Sequence, residues 1–163
     1  MEFMTQALNT AIRAASHGDV PIGAVVVRDG AIIARGENQV QLKQNPTLHA
    51  EIVAINRACK KLGAKFLDDC DIYVSLEPCA MCATAISLAR IRRIYFAASD
   101  AKGGGILHNA RIYDTDRHLW RPDVIQIPEF ADASATLLRD FFRARRAESK
   151  NSRHTTGDCD ISD

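Results

Sequence analysis

No run of eighteen apolar residues occurs in this 163-residue chain, and its opening stretch, MEFMTQALNT, lacks a basic region followed by an apolar one. Neither a membrane span nor a secretory signal is therefore expected, and the sequence reads as cytoplasmic. Net charge is nearly absent as well, because 21 basic residues against 20 acidic ones leave +1. That balance excludes a strongly basic nucleic-acid coat but leaves room for a local patch that meets phosphates. Internal repeats, a domain linker and a phosphate-cradling motif for a free nucleotide are all missing. Cysteine is sparse and odd in number, five residues without regular spacing. In a reducing compartment two close thiols more often bind metal or do redox chemistry than form a structural disulfide. What the chain does have is 47% hydrophobic and 25% charged residues, enough for one compact domain with a real core.

Periodicity gives the elements. Phe3, Met4, Ala7, Leu8, Ala11, Ile12 and Ala15 repeat at helical spacing from Glu2 to Ser16, with Gly18 as a stop. The runs 22–28 and 31–35 are β-branched and flank Asp29-Gly30, a strong hairpin signal. A second long helix is expected to start near His49, with Ile52, Ile55, Cys59 and Leu62 on one face, Lys60 and Lys61 in its last turn and Gly63 as its cap. Residues 71–76 read as a buried strand, CATAISLA as a small-residue helix opened by Pro78, and 93–97 as another strand, which implies a parallel crossover. A loop runs from Gly103 to about Pro122, a short strand covers 124–127, and a last helix is expected over 133–147. The fold class is α/β, a three-layer α/β/α sandwich around a mixed five-stranded sheet. Residues 1–147 form the domain, and 148–163 a polar tail expected to be disordered.

Two short strings carry chemistry. In LEPCAMC, residues 76–82, Cys79 and Cys82 are three apart, so one helix face can bring both thiolates to one ion. Pro78 can sit in the first helical turn, leaving free amides and the positive dipole end beside the thiols, which favours their ionised form. His49 offers a neutral ligand at another helix start, and Glu51 follows two positions later. A solvated pair at a helix N-terminus is the plainer reading of His-Ala-Glu alone, but both strings occur in one small chain. One imidazole and two thiolates leave a zinc ion with an open position, since a structural site would take a fourth protein ligand. Cys59 and Cys70 are better explained by packing, Cys159 lies in the tail, and His17, His108, His118 and His154 lack ligand spacing. Glu51, close to the metal without binding it, is placed to act as general acid and base.

His49-Ala50-Glu51 with Pro78-Cys79-Ala80-Met81-Cys82 is similar to the signature of the zinc-dependent cytidine deaminase superfamily, of which bacterial tRNA adenosine deaminases are a standard example. VPIGAV, NPTLHAE, ARIRRIYFAASDAKGG and FFRARR, in that order, resemble those tRNA enzymes over residues 1 to about 147. The resemblance implies a cytidine deaminase-like fold, one Zn2+ per subunit and hydrolytic deamination of adenosine to inosine at the wobble position of a tRNA anticodon, by a homodimer. It also implies that Asn38 contacts the flipped base and that Asp100 lies beside the anticodon nucleotides. Asn45 and Leu48 stand where the family commonly has aspartate and alanine, Ser99 where it has arginine or another polar residue, and 106–121 is unlike the family's usual segment.

The last helix supplies independent support for an RNA partner. Arg139, Arg143 and Arg146 form a stripe, and segment 139–146 carries four arginines against Asp140, a local charge of +3. A solvated outer face is the alternative; the stripe lies next to the apolar Leu138, Phe141 and Phe142, and the two aromatic residues are expected in the core. Tyr113, His118 and Trp120 could stack on loop bases or fold onto their own domain. Competing functions are deamination of guanine, cytosine or a free nucleoside, which would share every zinc and shuttle residue, and a non-catalytic deaminase-like RNA-binding subunit, in which Glu51 would have no purpose.

Overall fold

The structure is a computed structural model that describes residues 1–114 and 120–154, with side chains described to residue 150. In chain order the elements are α1 (Glu2–Ser16), β1 (Gly23–Arg28), β2 (Ala31–Glu37), α2 (Val40–Lys43), α3 (Ala50–Leu62), β3 (Cys70–Leu76), α4 (Ala80–Leu88), β4 (Arg93–Ala98), β5 (Asp123–Gln126) and α5 (Ala131–His154). One turn of 3-10 helix spans Ile112–Asp114 and another, Pro128–Phe130, leads into α5. The strands form one mixed sheet in the order β2-β1-β3-β4-β5. β1 runs antiparallel to both neighbours, whereas β3, β4 and β5 are parallel. Asp29 and Gly30 close the hairpin with φ of 49° and 73°, the left-handed pair that a two-residue turn between twisted strands requires.

Both sheet faces are covered, which is why β1 reads GAVVVR without alternation. Ala24 and Val26 point into a core shared with α3 and α4, through Ala50, Ala54, Ile72, Val74, Ala83 and Ile86. Val25 and Val27 point the other way, onto Met4 and Ala7 of α1. The helix faces differ from the expected ones. On α1 the fully buried residues are Met4, Ala7, Ala11 and Ala14, while Ile12 is 53% exposed. On α3 the stripe is Ala50, Ala54 and Ala58 with Val53 and Ile55, and Cys59 and Leu62 lie at its margin. The cause is close approach. A Cβ on Gly23 would fall 2.2 Å from the Ala7 carbonyl oxygen, and one on Gly36 would fall 2.1 Å from that of Ala50. At these distances only small side chains fit between helix and strand.

Gly36→Ala should therefore destabilise the protein by about 3 kcal/mol, the upper end of the usual cost of overpacking, because the new methyl meets backbone rather than a side chain that can turn away. Because Ala50 adjoins His49, the displaced helix should also hold metal less well. Denaturant titration with metal analysis checks both; a variant of wild-type stability would refute the packing.

Three further expectations need correction. The short α2 was not foreseen. Its backbone amides at Gln41 and Leu42 donate to the two carboxylate oxygens of buried Asp19, 2.7 and 3.0 Å away, a cap contributed from more than twenty residues upstream. Second, α5 continues to His154, through the first part of the segment expected to be disordered; residues 155–163 lie outside the described ones. Third, the aromatic residues of α5 are not core: Phe141 is partly buried, and Phe142 is 43% exposed. Only Ser134 is buried among the described side chains of α5, its hydroxyl donating to the Ser75 carbonyl, so the helix touches the sheet near its start and projects beyond it. Tyr113 is buried and its hydroxyl donates to the Ala83 carbonyl at 2.7 Å, whereas Trp120 is 41% exposed and is held to the domain by its indole N–H, which donates to the Ile91 carbonyl at 2.7 Å. His118 lies outside the described residues. Among the described residues no helix is long and apolar enough to cross a membrane.

Candidate active site

Two helix starts meet on the α3/α4 side of the sheet. His49 is the N-cap of α3 and Cys79 the N-cap of α4, both with extended backbone. Pro78 thus stands one position outside α4 and not in its first turn, so the helix's free amides begin beyond Cys79. Cys82 follows at the third helical position and is fully buried. The offset of three brings both sulfurs to the same imidazole: Cys79 Sγ and Cys82 Sγ each lie 3.6 Å from His49 Nδ1. His49, Cys79 and Cys82 offer one ligand atom each within 4.8 Å of one another, a set that could hold a metal ion. Cys70 is buried elsewhere in the core, where burial and the neighbouring Asp69 push its thiol up to about 11, and Cys59 is partly buried on α3; neither joins the cluster.

The electrostatics of the cluster favour a cation. A hydrogen bond from the Cys82 thiol, opposed by burial and helped by His49, holds Cys79 down at about 4. Cys82 moves the other way, raised by that same bond and by burial. His49 is raised, chiefly through its contact with Cys79. Glu51 lies in the first turn of α3, is 3% exposed, and has one oxygen, Oε2, buried without a partner. Burial lifts its carboxyl from 4.5 to about 7; its backbone amide opposes the shift and the Cys79 charge adds to it.

A carboxyl whose folded pKa lies above its unfolded one contributes stability that is complete below the unfolded value and is lost as pH rises through the folded value. For Glu51 the window runs from 4.5 to about 7. In metal-free protein Glu51→Gln should consequently be the more stable form at pH 8, by roughly 3 kcal/mol, with the advantage vanishing below pH 4.5. Denaturation across pH checks this, and an advantage that grew on acidification would contradict the assigned environment.

Asn38 follows β2 and is 5% exposed, with Oδ1 buried and unpartnered. It lines a cleft of about 230 Å³ together with His49, Asp19, Val20 and Ile22. Val20 and Ile22 also wall a second groove of about 360 Å³, whose other side is formed by Asp100, Arg139 and Phe142. Arg139 and Phe142 in turn line a third groove with Arg143 and Arg146. All three stripe arginines are exposed. Arg139 donates to Thr136 at 2.7 Å and Arg143 faces Asp140 at 3.7 Å, so their guanidinium groups lean on their own helix. Asp100 accepts the amides of Lys102 and Gly103 with Oδ1 and shapes its own loop as well as the groove wall. Asn45 makes the turn before His49, accepting from the amide and hydroxyl of Thr47 at 3.0 and 2.8 Å, and Ser99 accepts from Gln126.

Sequence reasoning missed Glu77. Its side chain is 0% exposed, and the carboxylate accepts the amides of Asp100, Ile106, Leu107 and His108 while meeting His108 Nδ1 at 2.7 Å. Burial pushes this carboxyl up, but the Asp100 amide and the His108 ring, with the other amides, outweigh burial and hold it below its ordinary value. An acidic residue directly continuing a buried strand was the available signal.

A mixed five-stranded sheet covered on both faces, with His49, Cys79, Cys82 and a buried carboxyl gathered at two helix starts, defines a cytidine deaminase-like α/β domain. The profile of the MafB19-like deaminase family matches residues 1–146, and the chain belongs to that family. It is 45% identical over 146 residues to the tRNA-specific adenosine deaminase of Agrobacterium fabrum, covering 90% of this chain and 95% of the relative. The guanine deaminase of Bacillus subtilis is 54% identical over 87 residues, covering 52% of this chain and 56% of that protein. A solved tRNA:A34 deaminase, studied for A-to-I editing at the wobble position of transfer RNA, superposes with a TM-score of 0.75 at 46% identity, covering 77% of this chain and 97% of the other.

Proposed function

We propose that the chain is a zinc-dependent hydrolase that deaminates adenosine to inosine at the wobble position of a tRNA anticodon. The observation that carries the choice of substrate is the continuity of the clefts. Val20 and Ile22 are common walls of the pocket at His49 and Asn38 and of the groove at Asp100, Arg139 and Phe142. A single base needs only the first; a base presented on a strand of RNA also needs the second, with arginines for its phosphates. The relatives point the same way, since likeness to the tRNA enzyme spans almost all of both chains and likeness to the guanine enzyme about half.

The donor set suits zinc. Zn–S bonds of about 2.3 Å and a Zn–N bond of about 2.0 Å at a tetrahedral angle imply sulfur-to-nitrogen separations of about 3.5 Å. The two separations here are 3.6 Å each. When bound, the ion supplies Lewis acidity that lowers the pKa of water towards neutrality. In this reading His49, Cys79 and Cys82 are the ligands and Glu51 is the catalytic acid and base. Glu51, buried beside the three ligands with Oε2 free of any partner in the protein, can take a proton from the attacking water at that oxygen and deliver it to the purine ring nitrogen. A second transfer protonates the departing amine, so adenosine and water become inosine and ammonia. Asn38 Oδ1, with no partner of its own, accepts a hydrogen bond from the bound nucleoside. Arg139, Arg143, Arg146 and Asp100 are proposed to contact the flanking nucleotides.

A cytoplasmic homodimer goes with this reading, supported by Met81 and Leu88, seven apart on α4 and 37% and 65% exposed. The deaminase domain is proposed to end near residue 147. Incubating purified protein with an anticodon stem-loop bearing adenosine at the wobble position, and separately with free purines and cytosine, tests the substrate. Inosine in the stem-loop is expected. Activity confined to free bases would overturn the tRNA reading in favour of a guanine or cytosine deaminase.

A further inference from the structure

Glu77 stands two residues before Cys79, yet the five groups its carboxylate meets all belong to residues 100–108. That segment has neither helix nor long strand, so its amides must find acceptors elsewhere, and one buried carboxylate supplies four of them. The loop is wrapped tightly around the group: a Cβ on Gly104 would lie 2.5 Å from Glu77 Cδ, and one on Gly105 would lie 2.4 Å from the Ala80 nitrogen. Gly104 bridges to Cys79, and the Gly105 amide donates to the Pro78 carbonyl at 2.8 Å. The middle of the loop is thereby laid against the segment that presents Cys79. Its first residues, Asp100 and Ala101, wall the groove that holds Arg139 and Phe142.

Among the described groups on Glu77, the side-chain contact comes from His108, which is 38% exposed. A substitution at His108 can thus weaken the clamp without opening the core.

We propose that Glu77 and His108 are positioning residues that fix the 100–108 loop as the wall receiving the part of the substrate outside the base pocket, and so set the affinity for the polynucleotide rather than the rate of deamination. The proposal rests on the RNA reading given above. Neither side chain touches the reacting atoms. Glu77 acts through the backbone amide of Asp100, and His108 acts through Glu77.

The test uses zinc-loaded full-length protein and the wobble-adenosine stem-loop, measuring kcat, KM and zinc content for wild type, His108→Leu, His108→Asn and Glu77→Gln. His108→Leu should raise KM about tenfold, the size expected for losing one hydrogen bond to a charged group, with kcat and zinc content unchanged. His108→Asn puts an amide nitrogen near the position of Nδ1 and should recover most of the wild-type KM. Glu77→Gln replaces one acceptor with a donor that faces an N–H, and its KM should rise further than that of His108→Leu. If Glu77→Gln fails to fold, the two His108 variants decide. A His108→Leu enzyme with wild-type KM, one whose kcat falls instead, or a His108→Asn enzyme no better than His108→Leu would overturn the proposal. Failure of the function reading shows separately, as a wild-type enzyme inactive on the stem-loop, and would remove the polynucleotide role along with it.

Discussion

Glu51→Ala is expected to lower turnover roughly a hundred- to ten-thousandfold, the usual worth of a positioned general acid and base, while zinc content stays at the wild-type level. The separation of these two readouts follows from geometry. Glu51 lies beside the cluster of His49, Cys79 and Cys82 but is not one of the three atoms gathered there. Its buried Oε2 lacks a partner in the protein and so is free to accept and pass on a proton. Alanine removes the shuttle and relieves the burial of an ionisable group, so the variant should not melt below wild type. Single-turnover assays on the stem-loop together with metal analysis check this. Turnover within tenfold of wild type would refute the role proposed for Glu51.

Cys82→Ala should have the larger effect on the metal. Loss of one of three protein ligands should weaken zinc binding by more than the ten- to hundredfold that an outer-shell partner is worth, and deamination should become undetectable. Cys82 is fully buried in the first turn of α4, so the truncation also leaves a small cavity. Cys70→Ala is the control, because Cys70 is buried in the core and does not belong to the cluster. It should lose stability and keep its zinc. A stoichiometric zinc load in Cys82→Ala would exclude that sulfur as a ligand.

Much of the site was legible because local signals and chemistry agreed. His49 before an apolar-periodic run and Gly63 after it delimited α3 almost to the residue, and the offset between Cys79 and Cys82 is enough to put two sulfurs near one ion whichever residue caps the helix. The place of Pro78 was off by one because either side of the N-cap suits proline. Helix faces were less legible. Isoleucine and leucine outrank alanine on any hydropathy scale, yet Ala7, Ala11, Ala50 and Ala54 are the residues packed against the sheet, because Gly23 and Gly36 bring the backbones close. Nothing local announces such a contact between distant segments. Asp19 capping α2 and Glu77 gathering the 100–108 loop are illegible for the same reason, since each acceptor lies more than twenty residues from its donors. On α5, the apolar Phe142 sits on a helix that has already left the sheet, where hydropathy alone predicts burial wrongly and a groove wall beside Arg139 accounts for it.

In the proposed function one zinc ion is held by His49, Cys79 and Cys82 with a fourth position left for water. X-ray absorption at the zinc edge of the purified, active protein tests it most directly. The expected shell has two sulfurs at about 2.3 Å and two lighter nitrogen or oxygen atoms at about 2.0–2.1 Å. A shell of three or four sulfurs, or full activity in protein free of zinc, would contradict the account.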